Sequence, residues 1–108
     1  MTTIDPNFAI PDCALPVGAD AGYTDSWQPP YKSDPAYRCV WSRAFDDVND
    51  IRTVVVQYAD GTIATESNNA PMVFLGGNGF HPDEARVMAG ALLAAADLAD
   101  QWSGVKRR

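Results

Sequence analysis

One histidine and two cysteines set the ceiling on the chemistry open to this 108-residue chain. Cys13 and Cys39 form no CxxC pair, and with His81 they supply one soft ligand fewer than a four-coordinate zinc site needs. They read as free thiols. His81 would have to serve any Ser–His or Cys–His pair alone, and no serine or cysteine lies in a nucleophile motif. It directly precedes Pro82-Asp83-Glu84, so it takes the helix N-cap slot with Glu84 at the capping-box position. Gly76-Gly77-Asn78-Gly79 precedes a helix start as a phosphate loop does, but no Lys-Ser/Thr ending follows, and Asp83 and Glu84 would oppose an anion there. Asp46, Asp47, Asn49 and Asp50 offer hard oxygen ligands without the EF-hand spacing or its glycine, and read as a solvated turn. No catalytic residue, metal site or cofactor is expected.

The elements around these residues begin with an irregular segment. Six of the eight prolines fall within residues 1–35, which show neither helical nor strand periodicity. Phe8, Ile10, Leu15, Val17, Tyr23, Trp27 and Tyr31 nevertheless supply apolar anchors, so this proline-rich extended arm is expected to lie against the body formed by residues 36–108 or against a partner. From Ala36, the residues Tyr37, Cys39, Trp41, Arg43 and Phe45 alternate with smaller or polar ones, the period of a strand. Ile51–Tyr58, dense in β-branched residues, predicts a second strand. Asp60-Gly61 predicts a two-residue hairpin leading into a third strand over Thr62–Ser67, with Ala59 opposite Thr62 and Tyr58 opposite Ile63. Met72–Leu75 is a short fourth strand, and Gly76–Gly79 is read as a loop.

Pro82 at the first helical position, Asp83 and Glu84 in the first turn, and Gly104 followed by Lys106-Arg107-Arg108 predict a helix from Pro82 to Ser103. The fold class is therefore α+β: an antiparallel sheet of three to four strands, one C-terminal helix packed on it, and the N-terminal arm. Met88, Leu92, Ala95, Ala99 and Trp102, beside Val87, Ala91, Ala94 and Leu98, are expected to face the sheet. Trp102 is expected to cap its core.

Leu93, Ala89 and Gly90 fall largely outside that face, in a run of ten non-polar residues that exceeds what one sheet can cover. They are expected to be covered either by the proline-rich arm of the same chain or, the reading preferred, by the equivalent helix of a second chain in a homodimer, the small residues permitting close approach. Trp27-Gln28-Pro29-Pro30-Tyr31 is the second candidate contact segment, with Trp27 and Tyr31 either pinning the arm or meeting a partner.

Tyr58-Ala59-Asp60-Gly61-Thr62-Ile63, Pro71-Met72-Val73-Phe74-Leu75, Pro82-Asp83-Glu84-Ala85-Arg86 and the Ala/Leu-rich run from Ala91 to Ala99 resemble small uncharacterised proteins of actinobacteria and their phages. Those proteins carry a hairpin, a short strand and a helix opening on the same Pro-Asp-Glu-Ala-Arg. The resemblance spans the C-terminal half and brings no catalytic residues.

Charge narrows the partners. Fourteen acidic residues face eight basic ones, and three of the basic residues are the terminal Lys106, Arg107 and Arg108. A body this acidic repels phosphate backbones, so no nucleic-acid partner is expected. The opening residues lack the basic and apolar regions of a leader, and Val87–Ala96 is too short to span a bilayer, so no membrane partner is expected and a cytoplasmic location is. The function expected is that of a non-catalytic accessory or regulatory protein acting through protein contacts. The alternatives are an acidic mimic that sequesters a basic partner, and a small-molecule-binding protein or enzyme with a site near Tyr37, Arg43 or His81.

Overall fold

The computed structural model describes residues 8–66 and 68–104. Strands β1 (Tyr37–Trp41), β2 (Ile51–Tyr58), β3 (Met72–Leu75) and β4 (Asn78–Phe80) form one antiparallel sheet in chain order, followed by helix α1 (Pro82–Ser103). The class is α+β, as the hydrophobic periods indicate. Ser67 and the basic end Lys106–Arg108 lie outside the described residues, as do residues 1–7.

β2 is the central strand, and its two edges explain where the sequence reading departs from the fold. One edge pairs with β1, from Tyr37 opposite Tyr58 to Trp41 opposite Val54. The other is shared: its first half, Ile51–Val54, pairs with β3, which leaves only the second half for the chain leaving Asp60-Gly61. The expected third strand over Thr62–Ser67 is accordingly reduced to a single bridge of Ile63 with Gln57. Its register is also one residue from the expected one. Tyr58 N–H donates to the Thr62 carbonyl at 2.9 Å across a three-residue loop, with Gly61 at φ 90°. Asp60 Oδ1 accepts from both the amide and the hydroxyl of Thr62, and this local bond favours the longer turn over the two-residue one.

Gly76–Gly79 is not a loop throughout. Gly76 and Gly77, at φ 61° and 116°, make a two-residue turn, and Asn78–Phe80 returns as β4 with Asn78 opposite Leu75. Two positive φ values in succession suit the right-handed strand twist, and glycine adopts both without a Cβ clash. The Phe74 ring lies over Gly79, where a Cβ would stand 3.0 Å from its Cε1.

The described part of the arm covers the outer edge of β1. Gln28 and Tyr37 exchange both backbone hydrogen bonds, Asp25 N–H donates to the Cys39 carbonyl and Asp20 N–H donates to that of Trp41. These bonds occupy donors and acceptors that an edge strand would otherwise offer to another chain.

Strand alternation gives the sheet two faces. Arg38, Val40, Thr53, Val55, Gln57, Val73, Leu75 and Phe80 share one. The arm covers its β1 end, where Gln57 and Val40 are buried. Gln57 is 2% exposed and fully bonded: it accepts from Arg38 Nε at 2.9 Å and donates to the carbonyls of Ala14 and Gly61. The Arg38 guanidinium also lies 4.5 Å from the Trp27 ring centre and donates to the Cys13 carbonyl. On the other face Tyr23, Trp41 and Phe74 stack edge to face, with the Arg52 guanidinium 3.6 Å from the Tyr23 ring centre.

Candidate interaction surface

α1 begins and ends as its sequence indicates. His81 N–H donates to Glu84 Oε1 at 2.8 Å, Pro82 occupies the first turn, and Gly104 closes the helix at φ 77°. Its packing differs from the expectation. None of its 22 residues is buried. The helix meets the sheet through its N-terminal half, where Ala85, Met88, Ala89 and Leu92 face Ile51, Val73, Leu75 and Phe80 across an apolar cleft of about 500 Å³. Of the two stripes expected to face the sheet, only Met88 and Leu92 do so, joined by Ala85 and Ala89; Val87, Leu98 and Trp102 do not. At 81% exposure Trp102 does not cap the core, and Val87 and Leu98 are also open.

The cause lies in dimensions. β3 and β4 have four and three residues, so the sheet is short on the side where α1 starts. A helix of 22 residues spans about 33 Å and outruns it. The chain measures 66 × 27 × 26 Å, elongated as a projecting helix requires.

The residues singled out from sequence fall in different settings. Trp27 is 8% exposed and held under Arg38, so it pins the arm to its own sheet. Tyr31 is exposed with the Lys32 ammonium 5.4 Å from its ring centre. Ala89 lines the cleft beside the sheet. Leu93 is exposed on the flank that helical spacing shares with Arg86 and Asp97, and Gly90 has nothing within 4 Å of its Cβ position. The structure does not gather these five into one surface. Nearly all of α1 is exposed, with Val87, Leu92, Leu93, Leu98 and Trp102 its open large apolar residues, so exposure singles out no one stripe of it.

A second concavity, of about 480 Å³, lies between the end of the arm and the open face of the sheet, lined by Asp34, Tyr37, Cys39, Tyr58, Glu66 and Asn69 among others. The Tyr58 hydroxyl donates to Glu66 Oε1, and this bond holds the Glu66 carboxyl below, and the Tyr58 phenol above, its usual range. Burial, and then the charge of Asp25, push the Cys39 thiol up, so it is a weak nucleophile at neutral pH. Cys13 and Cys39 are free and lie on opposite sides of the sheet, Cys13 beside Arg38 and Cys39 in this recess. Arg43 and His81 are exposed and line neither cavity.

The acidic turn satisfies itself. Asp46 Oδ1 accepts from the Val48 amide and Oδ2 from the Asn49 side chain, and Asp50 binds Arg52 at 2.8 Å. Among the described residues no group of three or more His, Cys, Asp or Glu side chains is placed to hold a metal ion. No helix among them is long and apolar enough to cross a membrane. No family model, curated protein or solved structure matches the chain.

Proposed function

We propose that the chain is a non-catalytic accessory or regulatory protein that works through protein contact, with the exposed apolar side chains of α1 as its contact surface. The observation that carries this reading is a 22-residue helix without a buried side chain that leaves Val87, Leu92, Leu93, Leu98 and Trp102 in water. In globular proteins most helical stability comes from packing an amphipathic face, and a lone helix is marginal. A surface this apolar on an otherwise acidic chain is the mark of an interface.

The test is capture from a nuclease-treated actinobacterial lysate, the source the resemblance suggests, comparing the native chain with a Leu98→Glu variant at low and high salt. A partner held through high salt by the native chain and lost by the variant supports the reading. Capture that disappears with salt and ignores the variant favours the acidic mimic instead.

The recess at Tyr58 and Glu66 supports a second reading, a small-molecule site. A ligand that raises the melting temperature of the native chain but not of a Tyr58→Phe variant would favour it.

A further inference from the structure

We infer that the recess between the end of the arm and the open face of the sheet takes a small organic cation, an ammonium or guanidinium group carried on an aromatic or short alkyl body. The inference rests on the second reading above, a small-molecule site at Tyr58 and Glu66, and names its ligand class.

Three observations carry it. The first is an aromatic wall. Tyr37 and Tyr58 are direct partners across β1 and β2, so both side chains stand together on one face, and both line the recess. Ring faces attract a cation that carries apolar groups, and Cys39 opposite Val56, two positions along, gives its body an apolar floor. The volume of about 480 Å³ falls within the range of small-molecule pockets.

The second is charge. Asp34 and Glu66 line the recess and no Lys, Arg or His does. Glu66 is held by neutral donors, the Tyr58 hydroxyl on Oε1 and the Thr65 amide on Oε2, which orient its charge without cancelling it. Asp34 is fixed through its backbone, which exchanges both hydrogen bonds with Tyr31, and its exposed carboxylate forms no ion pair among the described residues. The neighbouring Lys32 lies over the Tyr31 ring instead.

The third is the use the same chain makes of this combination elsewhere. The Arg52 guanidinium lies 3.6 Å from the Tyr23 ring centre with Asp50 at 2.8 Å and Asp20 at 3.8 Å, and that of Arg38 lies 4.5 Å from the Trp27 ring centre. Each of those aromatic faces is filled by an arginine of the chain itself. In the recess, two tyrosines and two carboxylates recur with no arginine among the residues that line it, and a ligand cation completes the set.

The experiment follows backbone amide shifts by NMR while the full chain is titrated with phenethylammonium, with neutral 2-phenylethanol and with anionic 3-phenylpropanoate. Phenethylammonium is expected to shift the Tyr37, Tyr58 and Asn69 amides saturably and to bind about tenfold more tightly than the alcohol, and the carboxylate to leave them unmoved. Asp34→Asn is expected to weaken the ammonium about threefold or more with an unchanged melting temperature, whereas Asp47→Asn, which removes the same charge from the distant acidic turn, leaves its affinity intact. Equal weakening by the two substitutions would mean diffuse attraction to an acidic chain and overturns the inference, as does an affinity indifferent to Asp34→Asn. An alcohol bound as tightly as the ammonium overturns the cation and keeps the small-molecule site; recess amides that respond to none of the three probes overturn both.

Discussion

At the scale of single residues the body is held by polar groups that a hydrophobic pattern does not reveal. Gln57 interrupts an otherwise apolar strand, yet it is the most buried large side chain described, tying β2 to the arm at Ala14 and to the turn at Gly61. Gln57→Leu keeps the volume and leaves Arg38 Nε and two carbonyls without their Gln57 partner, so it is expected to cost about 2 kcal/mol in chemical denaturation. Trp27→Ala removes the ring beneath Arg38 and is expected to cost about 3 kcal/mol. Glu66 gives a pH signature. Its carboxyl is held low first by the Tyr58 hydroxyl and then by backbone amides, so its contribution is present above the pH at which the unfolded chain ionises it and fades as pH falls through the folded value. Amide exchange at Thr65, whose N–H binds the Glu66 carboxylate, is expected to accelerate below the usual carboxylate range, and Glu66→Gln to remove that acid step.

Elements were legible where a local signal decides them and obscure where two segments compete for one partner. Ile51–Tyr58 and Pro82–Ser103 were readable to the residue, the first from its β-branched run and the second from its capping chemistry. The strand after Asp60-Gly61 was not, because the pairing length left to it depends on how far β3 reaches along β2, a quantity set by residues ten positions later. Gly76-Gly77 was readable as a turn but not as a hairpin, since Asn78-Gly79-Phe80 lacks strand propensity and owes its place to the Phe74 ring over Gly79. Gly77→Val forces a β-branched residue to φ 116° and is expected to cost about 2 kcal/mol and to loosen β4, seen as faster amide exchange at Phe80. The sheet-facing stripe of α1 was placed rightly at Met88 and Leu92 and wrongly beyond them, because sequence carries no measure of how short β3 and β4 are.

For the whole molecule, elongation is the property that separates a projecting helix from one folded over the sheet. A compact chain of this length has a radius of gyration of about 13 Å, whereas this one has 18.6 Å. Scattering from the chain at high dilution is therefore expected to give a value near the larger figure. A value near the smaller one would mean that α1 closes the cleft between Leu92 and Phe80. Trp102→Ala makes the complementary test. If Trp102 lay on the sheet its loss would cost about 3 kcal/mol, whereas at 81% exposure it is expected to change unfolding by less than about 0.5 kcal/mol. Unchanged folding joined to weaker partner capture would place the energetic role of that indole outside the monomer. That division follows from the architecture: the arm, Gln57 and the sheet stabilise the chain, and the outward side of α1 contributes little to its folding.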